Sequence, residues 1–350
     1  MAEVARGAGV SQATVSLVLN NAGGVRVKDE TRLKVRRIAE KLGYVVWRRA
    51  PVGSGSIRTI GYLIDDVISS PLTTASIEAA REAAWSYGCV LMVLPTHGEA
   101  DLERAAIKLL FEQRLVGVIY GAFYTKEVSL PKQLRTAPVV LLNCFSRDPN
   151  VRSFFPLHEA GAYEMTKRII AGGHRRIAFI NGRLDMLAAQ QRLSGFRRAV
   201  LDAGLPFDES LVAEGNWMLS DAQRAAEKFL RLKKRPTVII AASDKMAIGV
   251  YEAANAAGLT IPNDVSVVGI DDDPVGHFLS PPLTTVRIPH FKMGHAAVDF
   301  LMSRYDKTSV PLAAGDVGLP CEPQMRGSYK DRVRDLNPRR ASATPVTTTD

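Results

Sequence analysis

Between Gly9 and Asn20 the chain carries small polar side chains at positions where a helix would turn them outward. Val15, Val18 and Leu19 repeat at i, i+3 and i+4 and point inward, which leaves Gln12, Ala13, Thr14, Ser16 and Leu17 on the outer face or its edges. An amide and several hydroxyls on so small a face can hydrogen-bond to base edges and phosphate oxygens of duplex DNA. Charge points to the same chemistry. Residues 1–58 hold eleven Lys or Arg against four acids, a net of seven within a chain whose total is nine. A basic excess packed into a sixth of the length is the electrostatic footprint of phosphate binding.

The elements that must position these residues follow from spacing. Val4, Ala5 and Ala8 share one face of a first helix, and Gly9 stops it because Gly enters the left-handed conformation at little cost. Ser11 is a natural N-cap for the next helix. A third helix, about Asp29 to Leu42, would turn Leu33, Val35, Ile38, Ala39 and Leu42 inward before Gly43 ends it. Residues 1–44 therefore form a small all-α helix-turn-helix head, its second helix sized for the major groove. Residues 45–58 contain Pro51, Gly53 and Gly55 and have the composition of a hinge or linker.

From residue 59 the pattern alternates strand and helix. TIGYLID, CVLMVLP, VGVIYG and PVVLLNC are apolar strand runs, with helices over Thr74–Tyr87 and Leu102–Gln113 between them. A second cycle starts near His158 and includes RIAFING, TVIIAAS and VSVVGID. Its helices fall at Ala160–Ile170, Ala188–Ala203, Ser220–Leu232 and Ala247–Ala257, and a last helix spans Phe291–Tyr305. Apolar strands separated by amphipathic helices imply parallel sheets covered on both faces. The expected body, 59–328, has two α/β lobes. The first comprises about 59–156 and 288–321, the second about 157–287, with a ligand cleft between them at the carboxyl ends of the strands. Residues 329–350 lack an apolar period and read as a disordered tail.

Several functions are disfavoured. No GxGxxG follows a strand, no GxxxxGK[ST] occurs, and no Ser sits in a nucleophile elbow, so neither a nucleotide cofactor nor a catalytic residue is expected. The three cysteines, Cys89, Cys144 and Cys321, have no metal or disulfide spacing and suit a reducing cytoplasm. No apolar run approaches the ~20 residues of a membrane span. His97, His158 and His174 fall at helix or strand ends and read as solvated or capping residues.

The order of residues closely resembles the LacI family of bacterial transcription regulators. The resemblance rests on EVARGAGVSQATVSLVLN, VKDETR and LGY in the head. In the body it rests on GHRRIAFI, QQRLSGFRRA, AASDKMAIGV, IPNDVSVVGIDDD and LPCEPQMRGS. It implies a periplasmic-binding-protein-like body and a head in which Ser11, Gln12, Ala13, Thr14, Ser16, Leu17 and Asn20 face DNA. Gln12, Ala13 and Leu17 would read bases. Lys28, Arg48 and Arg49 serve phosphate contact. The resemblance also implies a cleft ligand contacted by Arg192, Asp244 and Asp271, with Asn143 and Trp217 beside them. For Trp217, lobe packing stands as an alternative to stacking on a sugar face.

Departures from the family pattern are local. Leu17 stands where many members have a polar residue, and Met1 lies about one turn short of the usual first helix, so either that helix is shortened or the natural start lies upstream. Pro51 interrupts the segment that forms a hinge helix in relatives. Ser243 replaces an Asn, and Leu157 and His158 replace an Asp-Asn pair. No leucine-heptad tail is present, which favours a homodimer. The function so implied is a cytoplasmic repressor controlled by a sugar-like effector. A purine-type corepressor response, activation in place of repression, and a ligand-binding protein with a degenerate head are the alternatives.

Overall fold

The computed structural model describes residues 2–19, 27–41, 58–66, 71–113, 115–305 and 314–335. The head has helices α1 (Ala2–Ala8), α2 (Gln12–Leu19) and α3 (Asp29–Lys41). Val4, Ala5, Ala8, Val15, Val18, Val35 and Ala39 make its core. Gly9 adopts φ 68°, and Val10 N–H donates back to Ala5 C=O at 3.0 Å, closing α1 with a Schellman turn. Leu33 corrects the sequence expectation: it is 69% exposed. It lies two residues, about 200° of helix, before Val35, which puts it on the opposite face. Leu42 and the linker up to residue 57 lie outside the described residues.

The first lobe is built on β1 (Arg58–Ile64), α4 (Pro71–Ser86), β2 (Cys89–Pro95), α5 (Ala100–Phe111), β3 (Leu115–Glu127), β4 (Val139–Phe145) and β5 (Arg152–Leu157). The second lobe adds α6 (His158–Ala171), β6 (Ile177–Asn181), α7 (Leu187–Asp202), β7 (Val212–Glu214) and α8 (Leu219–Leu230). It continues through β8 (Val238–Ala241), α9 (Asp244–Ala256), β9 (Ser266–Val268) and β10 (Thr285–Arg287). The chain then returns to the first lobe with α10 (His290–Tyr305) and β11 (Gly315–Pro320), and ends on the second with β12 (Glu322–Gln324) and the short α11 (Arg332–Asp335).

The first sheet is parallel in the order β11-β5-β4-β3-β1-β2, the second in the order β7-β6-β8-β9, and β10 pairs with β12 antiparallel. Strands such as β6, buried at every residue, read as unbroken apolar runs because helices cover both faces. Phe179 of β6 stacks on Phe196 of α7 at 4.9 Å between centroids. The chain passes between lobes at Leu157–His158, at Ile288–His290 and at Pro320–Cys321. Leu157 and Pro320 are register partners, so two of these crossings run side by side.

Two boundaries differ from expectation. The strand VGVIYG does not stop at Gly121 but continues as β3 to Glu127 after a register shift. The tail is ordered through residue 335. His174 donates from Nε2 to Lys330 C=O at 2.9 Å, and Arg332 N–H reaches Gly172 C=O at 2.8 Å. The reason is that α6 ends on Gly172 and Gly173, which leave room for Tyr329 and Val333. Residues 336–350 lie outside the described set. His174 itself is buried and also bonds Thr237 at 2.8 Å, not a solvated end residue.

The lobe's helix packing depends on close approach. A Cβ on Gly294 of α10 would stand 2.3 Å from Ser76 C=O of α4. Gly294→Ala gains about 1 kcal/mol of helix propensity but loses more to overpacking, roughly 1–3 kcal/mol. A lower melting temperature is therefore expected by thermal denaturation, and an unchanged or higher one would show that the two helices separate freely.

Candidate nucleic-acid interface and ligand cleft

In the head, Ser11 caps α2: its Oγ accepts from Thr14 N–H at 3.1 Å and sits 2.9 Å from Thr14 Oγ1. Gln12 and Ala13 are exposed, Thr14 and Leu17 half-buried, and Lys28 exposed at the start of α3. The face expected to meet DNA is therefore open, with a polar first turn and an apolar edge at Leu17. Ser16 lies on α2, though its side chain is outside the described set, as are Asn20, Arg48 and Arg49 altogether.

Between the lobes, Arg192 of α7 is buried. Its Nη1 donates to Ala242 C=O, and its Nη2 lies 3.3 Å from Asp271 Oδ1 and 3.4 Å from His158 Nδ1. Its Nε is buried without a partner. Below the guanidinium, 5.4 Å from Cζ, lies the ring of Trp217, whose Nε1–H donates to Met186 Sδ at 2.9 Å. The ring crosses Gly182, where a Cβ would come within 2.0 Å of it. Trp217 thus both packs and leaves a half-buried face beside Arg192.

Asp271 is fixed by backbone strain and bonding. It and Asp272 have φ of 142° and 63°, regions that cost about 1–3 kcal/mol for residues other than Gly. Asp271 N–H donates to Val286 C=O at 2.8 Å. Asp272 is clamped by Arg287 Nε at 2.6 Å and by Arg326 Nη2. Burial pushes the Asp271 carboxyl up, and the charge of Arg192 opposes that.

The other expected cleft residues divide. Asn143, at φ 57°, donates to Ala122 and Phe123 C=O at 3.0 and 2.9 Å and accepts from Thr125 Oγ1 at 2.6 Å. Its amide braces the end of β3 from inside the first lobe. Asp244 is 0% exposed and its carboxyl bonds the turn at Asp273 and the start of β10 at Thr285 in place of a ligand-facing position. The carboxylate accepts from Asp273 N–H at 2.8 Å and from the Thr285 hydroxyl. Its place in the first turn of α9, capped by Ser243, aims it at the strained turn. Asp244 is thus a brace behind the cleft where a ligand contact was expected.

Three further residues, His158, His290 and Thr125, gather around Arg192 and Asn143. His158, expected as a solvated or capping end residue, is 5% exposed and lies 3.1 Å from Thr125 Oγ1. Burial, then the charge of Arg192, holds it well below the usual histidine range. The same causes push His290 down to about 4. Thr125 lies in the polar extension of β3 beyond Gly121, which has no apolar run to mark it in the sequence. The one signal for His158 was its departure from the family's Asp-Asn pair.

A helix-turn-helix head on a two-lobed α/β body defines a DNA-binding regulator. Residues 1–46 match the bacterial regulatory proteins of the lacI family, and residues 58–311 match the periplasmic binding proteins and sugar binding domain of the LacI family. The chain belongs to the LacI family of helix-turn-helix transcriptional repressors. It is 32% identical over 305 residues to the HTH-type transcriptional repressor PurR of Vibrio parahaemolyticus, covering 86% of this chain and 90% of that protein. A LacI-family regulator from Rhizobium etli superposes with a TM-score of 0.72 at 29% identity, over 77% of this chain and 98% of that one. The CelR regulator in complex with cellobiose gives 0.65 at 27%, over 93% and 98%.

Burial, then the charge of Asp271, raises the Asp244 carboxyl. The folded state then holds a proton that the unfolded chain has released. The associated stability is present below the unfolded pKa, about 4, and is lost as pH rises through the folded value. Asp244→Asn mimics the protonated form. The melting temperature of the variant relative to the native chain should rise steadily from pH 5 to pH 8. Parallel curves would show that Asp244 holds no extra proton.

Proposed function

We propose that this repressor binds a near-palindromic operator as a homodimer and that a small uncharged, sugar-like effector between the lobes sets its affinity. The observation that carries the ligand reading is the balance of charge around Arg192. Asp271 faces the guanidinium at 3.3 Å, and burial keeps His158 and His290 uncharged. An anionic ligand would meet an arginine that is already matched, whereas hydroxyls suit an unpartnered Nε and a carboxylate. The half-buried face of Trp217 suits the apolar face of a pyranose. Arg192 and His158 are buried, so a ligand enters as the lobes part and the lobe angle becomes the signal. The CelR–cellobiose complex among the structural neighbours is consistent with a sugar. The PurR relatives support a second reading, a purine-type corepressor in the same cleft.

In the head, Gln12, Ala13 and Leu17 read bases. Ser11, Thr14, Ser16, Asn20, Lys28, Arg48 and Arg49 hold phosphates. Leu17 offers apolar contact to a thymine methyl, and Gln12 can pair with adenine. Residues 1–44 act as the reader, 45–58 as the hinge and the two-lobed body as sensor and dimerisation surface. Two copies of one helix-turn-helix add their affinity at two half-sites.

Operator titration should show that Gln12→Ala costs about 1–3 kcal/mol and relaxes preference at one position. Lys28→Ala should weaken all sequences alike and flatten the salt dependence. Equal losses on every sequence for both variants would remove Gln12 from base reading.

A thermal-shift screen of neutral sugars, sugar phosphates and nucleobases tests the effector. Saturation at 100-fold the dissociation constant adds about 2.7 kcal/mol. Affinity measured with and without operator gives the sign: an inducer binds more weakly to the operator complex, a corepressor more tightly. Equal affinities in both states would sink control by this ligand.

A further inference from the structure

One chain of hydrogen bonds runs from the first lobe into the second, and each link has one workable direction. Asn143 places both amide protons on the carbonyls of Ala122 and Phe123, so its Oδ1 accepts the Thr125 hydroxyl proton at 2.6 Å. With that proton committed, the Thr125 oxygen faces His158 Nε2, 3.1 Å away, as an acceptor. Nε2 is therefore the protonated ring nitrogen and Nδ1 carries the lone pair. That lone pair faces Arg192 Nη2 at 3.4 Å, and the same Nη2 reaches Asp271 at 3.3 Å. Arg192 has no acceptor and can only donate, so the chain closes only with a neutral His158.

We propose that His158 is a positioning residue that joins the first lobe, through Thr125, to the effector-contacting Arg192, so that the lobe angle and the set of that guanidinium change together. This rests on the cleft being the effector site. His158 opens α6 directly after β5, at the crossing between lobes. Its ring acts where a small rotation of one lobe on the other is felt first. With one Nη1 proton on Ala242 and the Nη2 protons on His158 and Asp271, the unpartnered Nε and the second Nη1 proton are the donors left for an uncharged ligand oxygen. The other titratable groups beside Arg192 are also uncharged, His290 pushed down by burial and the Cys321 thiol pushed up by it, and Asp271 supplies the matching negative charge.

Hydrogen–deuterium exchange on the ligand-free full chain tests the join. His158→Leu removes both ring partners. Thr125→Val removes the acceptor at nearly constant volume. His158→Gln keeps one donor and one acceptor and does not titrate. Loss of one or two buried hydrogen bonds should speed exchange by about fivefold around residues 187–196, in Thr125→Val as well, although that change lies in the other lobe. His158→Gln should stay near the native chain. Native-like exchange at 187–196 in Thr125→Val would overturn the proposal, as would a His158→Gln chain indistinguishable from His158→Leu. If His158→Leu does not fold, Thr125→Val alone decides by the same criterion. No ligand enters the measurement. A sugar screen that found nothing would count against the effector reading and leave the exchange result standing.

Discussion

A buried guanidinium dictates much of the body's architecture. Arg192 is out of water, and an unmatched charge there would cost several kcal/mol. The structure matches it with a carboxylate, a carbonyl, an imidazole nitrogen and an aromatic ring. Each partner requires its own support. Asp271 sits in a left-handed turn that needs the Arg287 and Arg326 clamps on Asp272. The Ala242 carbonyl lies at the end of β8 and immediately precedes the Ser243 cap of α9. Trp217 needs Gly182 to lie flat. Replacing the pair by apolar groups would remove the cost and also a fixed polar geometry between the lobes, so stability alone does not account for it.

The sequence made the architecture legible wherever one local force dominates. The Gly9 turn and the Ser11 cap are backbone chemistry, readable from residue type alone. The buried strands follow from apolar runs. Leu33 shows the limit of periodicity: an apolar residue within a helix need not join its inner face, and only Val35 and Ala39 fix where that face is. The end of β3 was hidden because YTKE has no apolar run, and its pairing is set by the neighbouring β4.

The site was legible as a set of residue types but not as directions. Arg192, Asp271 and Trp217 lie together, while the Asp244 carboxyl, of the same chemistry, is committed to Asp273 and Thr285. Direction depends on the frame: the first turn of α9 points that side chain at Asp273 and Thr285. His158 shows the converse error. At a helix start the bland assumption is water or capping, but this start is also a crossing between lobes, and the adjacent crossings at His290 and Cys321 bury it.

Inside the first lobe, one strand spans from the point where the chain enters to the cleft. β1 begins at Arg58, where the linker delivers the chain, and runs seven residues, about 23 Å at the rise of a strand, to Asp65 at the cleft. At its lower end Arg58 donates to Tyr87 C=O at 2.6 Å and lies over the Tyr305 ring, which ties it to the ends of α4 and α10. At its upper end Asp65 accepts from Phe123 N–H at 2.7 Å, two residues from Thr125. A close-packed lobe of this kind has low compressibility and transmits strain between its parts. Within the lobe, β1 therefore connects Asp65, beside the Thr125 end of β3, to Arg58 at the lobe's entry.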